Sequence, residues 1–458
     1  MTLVGETCRR WFDRGESSVH DIEQHAHYNC VGIGVGPANL SLASLLYGNP
    51  DISNLFLDEK TEFSWHDGQQ VPNTTLQVSL LKDLVSLADP TNRFSILSYL
   101  HSRGRIYHFL NAQFDAMPRA EFRNYLKWAA DLNENIAFGE RVLEVDFDGV
   151  FSVRTNRRTV TADNLSVGVG TSPWVPKMVE NLLGAQHFHV SEIMSRAHDL
   201  AGKRVCVVGG GQSGAEALLE LISRGQHERP RRVSWVSRRR NFFPIDDSPF
   251  TNDFYMPSFS DYFYQLDYAK REQFNNEQVL TSDGISMSTL RAIYQRIYTL
   301  RFIDGETDLV ALYPNREVIE VRPGSRDDWM LRVANSNHPG VLGQIDADVV
   351  IWATGFRSAA TSFLNPIAHR LEREGDELKI DSQFAVQWDG PADRNIFLHN
   401  SAVRQRGLAD RNLSLIAWRS RRVMDRLCGV RSDEQLGSFI EWSAKLSPGD
   451  AVTEAMPR

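Results

Sequence analysis

The feature that most constrains this chain is a pattern met twice: a short apolar run, a glycine-rich turn, then a stretch of helical spacing. The first copy starts at Tyr28-Asn-Cys-Val-Gly-Ile33, turns through Gly34-Val-Gly36-Pro-Ala-Asn39, and continues with Leu40, Ala43 and Tyr47 on one helical face until Gly48-Asn-Pro50 stops it. The second runs from Lys203 to Val208, turns through Gly209-Gly-Gly-Gln-Ser-Gly214 and continues from Ala215 to Arg224. Such a frame aims backbone N–H groups and the positive end of a helix dipole at one point, and glycine lets a pyrophosphate approach it. The second turn has complete GxGxxG spacing; in the first, Asn39 stands where the third glycine belongs. Further strands are expected at Asn54–Leu57, Val233–Ser237 and Ala347–Ala353. The alternation predicts an α/β fold with two Rossmann-like dinucleotide-binding domains on parallel sheets.

The 458 residues leave room for about three compact units. We expect a mobile extension over 1–27, a discontinuous first domain over 28–200 and 345–458, and a second domain over 201–344 inserted into it. The strand near 350 then returns the chain to the first domain. Within the insertion, 241–300 carries Phe242, Phe243, Phe250, Phe254, Phe259 and Phe263 among other aromatics, too many for a linker. It reads as a small helical substrate-binding cap.

Fifty Lys and Arg against 58 Asp and Glu give a net charge of −8, without the positive footprint that nucleic-acid binding draws on. The four cysteines, Cys8, Cys30, Cys206 and Cys428, form no CxxC pair and no metal-ligand spacing, which argues against a disulfide framework, a zinc site and a dithiol redox centre. No run approaches the roughly 18 apolar residues of a membrane span, and no secretory h-region precedes the first strand. A soluble chain in a reducing cytoplasm is expected.

The end of the second strand of each unit separates the nucleotides: an acid there binds ribose hydroxyls, whereas Arg accommodates the extra phosphate of NADP. Asp58 or Glu59 closes the first unit and Arg238-Arg-Arg240 the second, so FAD is expected in the first domain and NADPH in the second. Arg238–Arg240 as a plain solvated run is the alternative. Two such domains in one chain imply a nicotinamide that reduces a flavin. Without a CxxC, the flavin is left to react with dioxygen or to pass electrons to an external acceptor.

Several stretches then resemble one family. They are GVGPANLSLA (34–43), FSWH (63–66), LQVSLLKDLVSLADPTNRFSILSYL (76–100), VVGGGQSGAE (207–216), WVSRR (235–239), DDSPFTNDFYMP (246–257), LTSDGIS (280–286), ATGFRSA (353–359) and GLADRNLSL (407–415). In this order they are similar to the flavin-dependent N-hydroxylating monooxygenases of siderophore biosynthesis, the lysine N6-hydroxylase branch above all. The resemblance implies that NADPH reduces FAD, that dioxygen adds at the flavin C4a position, and that the terminal primary amine of the substrate attacks the distal oxygen to become a hydroxylamine. The nucleophile is then the substrate, and no Ser, Cys or His nucleophile is needed.

By the same resemblance, Gly34, Gly36 and Asn39 hold the FAD pyrophosphate turn and Asp58 the ribose, while Trp65, His66 and Gln77 surround the isoalloxazine, with Gln77 also facing substrate. Lys82 pairs with a substrate carboxylate. Gly210, Gln212, Ser213 and Arg238 bind NADPH, Asn252 contacts both substrate and nicotinamide, and Ser282 faces the substrate. Asn412 and Leu413 return over the flavin and Ser414 reaches the amine. The ornithine branch carries an Asn in a TNY motif where this chain has Thr281-Ser282-Asp283, which points to lysine or a diamine such as cadaverine or putrescine. Arg419, Arg421 and Arg422 read as a solvated helix face. A homo-oligomer, dimer or tetramer, is the family tendency. Two other readings remain at this point: a Baeyer–Villiger or sulfide-oxidising flavoenzyme, disfavoured because 187–200 lacks the Trp of that fingerprint, and an FAD/NADP electron-transfer or sensor module.

Overall fold

The computed structural model describes residues 26–114, 116–338, 340–430 and 437–442. Most of the expected N-terminal extension therefore lies outside the described residues, and His27 already opens the first strand.

A first sheet is built from β1 (His27–Ile33), β2 (Asn54–Asp58), β3 (Ile136–Phe138), β4 (Val142–Asp148), β5 (Val150–Thr155) and β6 (Thr159–Val167), in the spatial order β3-β2-β1-β6-β5-β4. The β1, β2, β3 and β6 strands run parallel, and β4 and β5 form an antiparallel flap. All five residues of β2 are buried, as expected of a parallel strand covered on both faces. Alternation sends Phe56 into a core with helix α1 (Pro37–Leu46) and sends Leu55 and Leu57 into the opposite core. Helix α1 has Gly36 as its N-cap and Pro37 in its first turn, where a missing N–H costs nothing.

A second sheet holds β7 (His187–His189), β8 (Arg204–Val208), β9 (Arg232–Val236), β10 (Val310–Tyr313) and β11 (Val349–Trp352), in the order β10-β9-β8-β11-β7 and parallel throughout. This corrects the expected boundaries. The strand near 350 stays in the second sheet, where Val350 lies opposite Cys206 and His187, and β7 joins the second sheet from before residue 200. The chain returns to the first sheet only at β12 (Ile396–Leu398), which pairs with the last residues of β6. A buried apolar run such as Val-Val-Ile-Trp suits either sheet, so its spelling leaves the partner open.

The aromatic segment is helical, as expected, but it divides. Helices at Pro257–Gln265 and Tyr268–Glu277 carry Phe259, Phe263 and Phe274 in one ring cluster with Phe254 and Trp442. They dock on the C-terminal part of the first unit, where Tyr264 donates its hydroxyl to the Ile380 carbonyl at 3.0 Å. The helix at Met287–Tyr298 packs instead in the core of the second sheet, through Ile293. No helix of the described residues is long and apolar enough to cross a membrane.

Candidate functional site

The first glycine turn is shaped by close approach. Gly34 has φ +83°, and a Cβ on it would sit 2.8 Å from the Gly168 carbonyl oxygen. Gly36 differs: a Cβ there would meet nothing within 4 Å. The space it leaves lies at the N-terminus of α1, which no side chain caps; this is a cradle of the kind a pyrophosphate fills. Asp58 Oδ2 accepts from the Val35 N–H at 2.7 Å and Oδ1 from the Lys60 N–H at 2.9 Å. Each oxygen keeps a lone pair for a ribose hydroxyl while the carboxylate fixes the turn.

The second turn repeats the logic more tightly. Gly209 has φ +137°, and a Cβ at Gly214 would lie 2.2 Å from the Gly209 carbonyl oxygen. That carbonyl accepts from Trp235 Nε1 at 2.8 Å. At Gly211, the N-cap of the helix Gln212–Ser223, a Cβ would meet only the Asp283 carbonyl oxygen, at 3.7 Å. The turn opens on a cleft of about 620 Å³ whose lining includes Gly209–Ser213, Arg238, Arg239, Ser282, Arg316 and Phe356. Arg238 is exposed and has no hydrogen-bond or ion-pair partner among the described residues. Arg239 is spent on the fold: its Nη1 donates to the Asp283 carbonyl at 2.7 Å and the Gly210 carbonyl at 3.3 Å.

The two units meet at these turns. Gln69 Nε2 donates to Ser213 Oγ at 2.7 Å, and Arg119 grips Glu216 with both guanidinium nitrogens at 2.8 and 2.9 Å. Glu216 also accepts from Gln212 Nε2 at 2.9 Å, while Gln212 Oε1 takes the Ser286 N–H at 2.8 Å. The side chains of Gln212 and Ser213 thus brace the seam, and both residues also line the cleft. Phe356 links the cleft to the first unit, with its ring 6.2 Å from His66 and 5.0 Å from His189. Trp65 stands edge-on to His66 at 4.9 Å. His66 keeps solvent contact, but protein packed around its ring desolvates it. That desolvation, with the charges of Arg119 and Lys60, pushes its pKa down to about 4.

Lys82 sits on a loop held by Asp83, whose fully buried carboxylate accepts from the backbone N–H groups of Val85, Ser86 and Ile96. Its ammonium has no partner among the described residues, and burial pulls its pKa below the ordinary lysine value. Gln77 is exposed on the same loop. Asn252 lies on the turn Thr251–Tyr255 and donates Nδ2 to the Asp247 carbonyl at 2.9 Å, which leaves Oδ1 as an acceptor. Tyr255 ties that turn to the next through its hydroxyl, 2.6 Å from the Thr281 carbonyl. Asn412 Oδ1 accepts both the N–H and the hydroxyl of Ser414, at 2.9 and 2.7 Å, and Leu413 packs into the core around α1.

Comparison with known proteins now bears on this arrangement. Residues 26–358 match the family model described as L-lysine 6-monooxygenase/L-ornithine 5-monooxygenase. The chain is 36% identical over 403 residues to an L-lysine N6-monooxygenase of Escherichia coli, covering 87% of this chain and 94% of that protein. It is 30% identical to a putrescine N-hydroxylase of Acinetobacter baumannii, over 88% of this chain and 90% of the other. Among solved structures, a cadaverine monooxygenase of Erwinia amylovora bound to FAD superposes with a TM-score of 0.86 at 26% identity, covering 92% of this chain and all of that one. The ornithine N-hydroxylase of Kutzneria with FAD, NADP+ and L-ornithine gives 0.79 at 26%, over 88% and 99%.

The chain belongs to this N-monooxygenase family.

Within this N-monooxygenase, two expectations change. Asn39 is fully buried beneath the turn, with Nδ2 shared among the carbonyls of Ile33, Gly34 and Ser166 and Oδ1 taken by the Ser166 hydroxyl. It shapes the turn from below instead of touching a cofactor. Ser282 lines the same cleft as Arg238, and its hydroxyl donates to Asp283 Oδ1 at 2.9 Å. Arg419 and Arg422 are not a solvated face. Arg419 is buried against Asp410, and Arg422 holds Asp261 at 2.6 and 2.9 Å; only Arg421 of the three is largely open. Sequence reasoning missed Arg316 and Arg411 in the cleft. Arg411 had a signal, since it adjoins Asn412; nothing local marks Arg316.

Proposed function

We propose that the protein N-hydroxylates the terminal primary amine of L-lysine, using NADPH, dioxygen and bound FAD, for a hydroxamate siderophore. The observation that carries the amino-acid substrate is the half-buried ammonium of Lys82, unpartnered among the described residues. A cation held out of water without a counter-charge favours an incoming carboxylate, and L-lysine has one where cadaverine and putrescine do not.

The cradle at Gly36 and the acceptor Asp58 fit FAD, and the cleft at Gly211 with the free Arg238 fits NADPH. Bound there, FAD would carry the reducing equivalents of NADPH to dioxygen. The residues do the rest. An alkyl ammonium has an ordinary pKa of about 10.4 and no lone pair, so the amine end must be kept neutral by desolvation and neutral acceptors. The Asn252 Oδ1 and the Asn412–Ser414 turn offer amide and hydroxyl groups in place of a carboxylate. The NADPH requirement and the thiols of Cys30 and Cys206, both buried and pushed up to about 12, suit a reducing cytoplasm. A homo-oligomer, dimer or tetramer, completes the reading.

The test is hydroxylamine formation per NADPH with L-lysine, cadaverine, putrescine and L-ornithine. L-lysine should give the highest kcat/KM. A diamine turned over better than L-lysine moves the assignment to the diamine branch, which the 30% identical putrescine N-hydroxylase represents; peroxide as sole product with every amine overturns it.

A further inference from the structure

We propose that the C-terminal segment 437–442 clamps the turn that carries Asn252, and that its Ser438 and Trp442 are positioning residues for the amine site. This rests on the reading that the Asn252 amide faces the substrate amine. The segment lies beyond residue 358, where the family match ends, and beyond the last family-like stretch, GLADRNLSL (407–415).

The turn Thr251–Tyr255 is a single 3₁₀ turn of five residues, whose backbone bonds are poorer than those of an α-helix. Its first half is tied locally: the Asn252 N–H donates to the Ser248 carbonyl at 2.9 Å and the Thr251 hydroxyl to Asp246 Oδ1 at 3.0 Å. Its last residue, Tyr255, is held at Thr281. Between them stand Asp253 and Phe254, the two residues that follow Asn252, and both meet the C-terminal segment. Ser438 Oγ donates to Asp253 Oδ2 at 2.9 Å, the one side-chain partner of that carboxylate among the described residues. The same Oγ accepts the Ile440 N–H at 3.0 Å, a local turn that fixes the serine in place. Trp442 sets its ring among Phe254, Phe259 and Tyr262, at centroid distances of 5.7, 4.8 and 5.9 Å. Phe259 and Tyr262 belong to the helix Pro257–Gln265, so one indole joins the turn to the helix after it. Phe439, between the two anchors, is fully exposed.

These contacts bear on the site through Asn252. Its side chain is exposed on a short turn, and its orientation is only as fixed as its neighbours. Substrate affinity falls in proportion to the fraction of molecules in which the amide oxygen is in place. Holding Asp253 and Phe254 raises that fraction without any contact between the segment and the substrate. Loosening the clamp therefore weakens KM, while saturating substrate, which selects the competent turn, restores kcat.

The experiment measures hydroxylamine formation with the preferred amine, FAD content and thermal unfolding on the full-chain holoenzyme. The variants are Trp442→Ala, Trp442→Phe, Ser438→Ala, Phe439→Ala, Asn252→Ala and the double Trp442→Ala/Asn252→Ala. Trp442→Ala and Ser438→Ala should raise KM for the amine about three- to tenfold with kcat per bound FAD held. Trp442→Phe should recover most of that, and Phe439→Ala should match wild type. In the Asn252→Ala background Trp442→Ala should add little, because both act on one amide. Additive effects in the double variant, or a loss of kcat and FAD with KM unmoved, overturn the clamp and leave the segment a packing role. A KM that rises for Asn252→Ala but for neither Trp442→Ala nor Ser438→Ala overturns the clamp alone; a KM unchanged by Asn252→Ala overturns the reading of Asn252 on which the clamp rests.

Discussion

Arg419 and Asp410 form an ion pair sealed from water, Nη1 to Oδ1 2.8 Å, with side chains 1% and 0% exposed. Arg419 also reaches the Asp410 carbonyl at 3.0 Å and Asn400 Oδ1 at 2.5 Å, while Asp410 Oδ2 takes the Ala402 N–H at 2.9 Å. The pair lies under the loop that carries Asn412, Leu413 and Ser414, and it fixes that loop to the C-terminal helix Ile416–Leu427. Losing one partner strands a buried charge, so Arg419→Met should cost about 3–5 kcal/mol in urea unfolding. The double variant Arg419→Met/Asp410→Leu should recover most of that stability. With the loop released from the carbonyl contact, it should still divert more NADPH to peroxide; unchanged coupling would limit the pair to a folding role.

Lys82→Ala should raise KM for L-lysine by about 10- to 100-fold, the worth of a charge-assisted contact, and leave cadaverine nearly unaffected. Equal effects on both amines, measured as hydroxylamine formed, would remove Lys82 from carboxylate recognition.

Arg238→Ala should raise KM for NADPH by about tenfold or more and for NADH little, because only NADPH carries the extra phosphate. Arg239→Ala should act on stability as well, since that guanidinium holds two backbone carbonyls. The comparison of the two variants by coenzyme kinetics and thermal unfolding separates a recognition cation from a structural one.

Gly36 and Gly34 should respond in opposite ways to alanine. The added methyl at Gly36 meets no protein atom, so apo stability should hold while FAD affinity falls. At Gly34 the positive φ and the Gly168 carbonyl make the change a folding defect. Flavin retention on desalting, set against thermal unfolding of apoprotein, reads out both.

Acid should weaken the fold between about pH 6.5 and 4. His187 is fully buried, its Nδ1 accepts from Trp352 Nε1 at 3.2 Å, and desolvation pushes its pKa down to about 4. Because the unfolded chain takes up the proton first, the stability present above pH 6.5 is lost as pH falls through that window, by roughly 3 kcal/mol at most. His187→Gln should flatten the dependence of the unfolding temperature on pH there.

The sequence by itself determined the local frames. Glycine at 34, 36, 209 and 211, set between an apolar run and a helical one, dictates a nucleotide turn whatever surrounds it, since the constraint is steric and spans a few residues. Lys82, Asn252 and Arg238 could be singled out as candidates for a related reason: each sits in a short motif whose neighbours are also distinctive. Only the tertiary structure decided which sheet Val349–Trp352 joins, that Asn39 faces inward, and that Arg419 is buried while Arg421 is open. Those outcomes depend on partners far along the chain, Cys206 and His187 for the strand, Ser166 for Asn39 and Asp410 for the arginine. A side chain's type states what it can bond; burial and the partner that folding brings to it decide what it does.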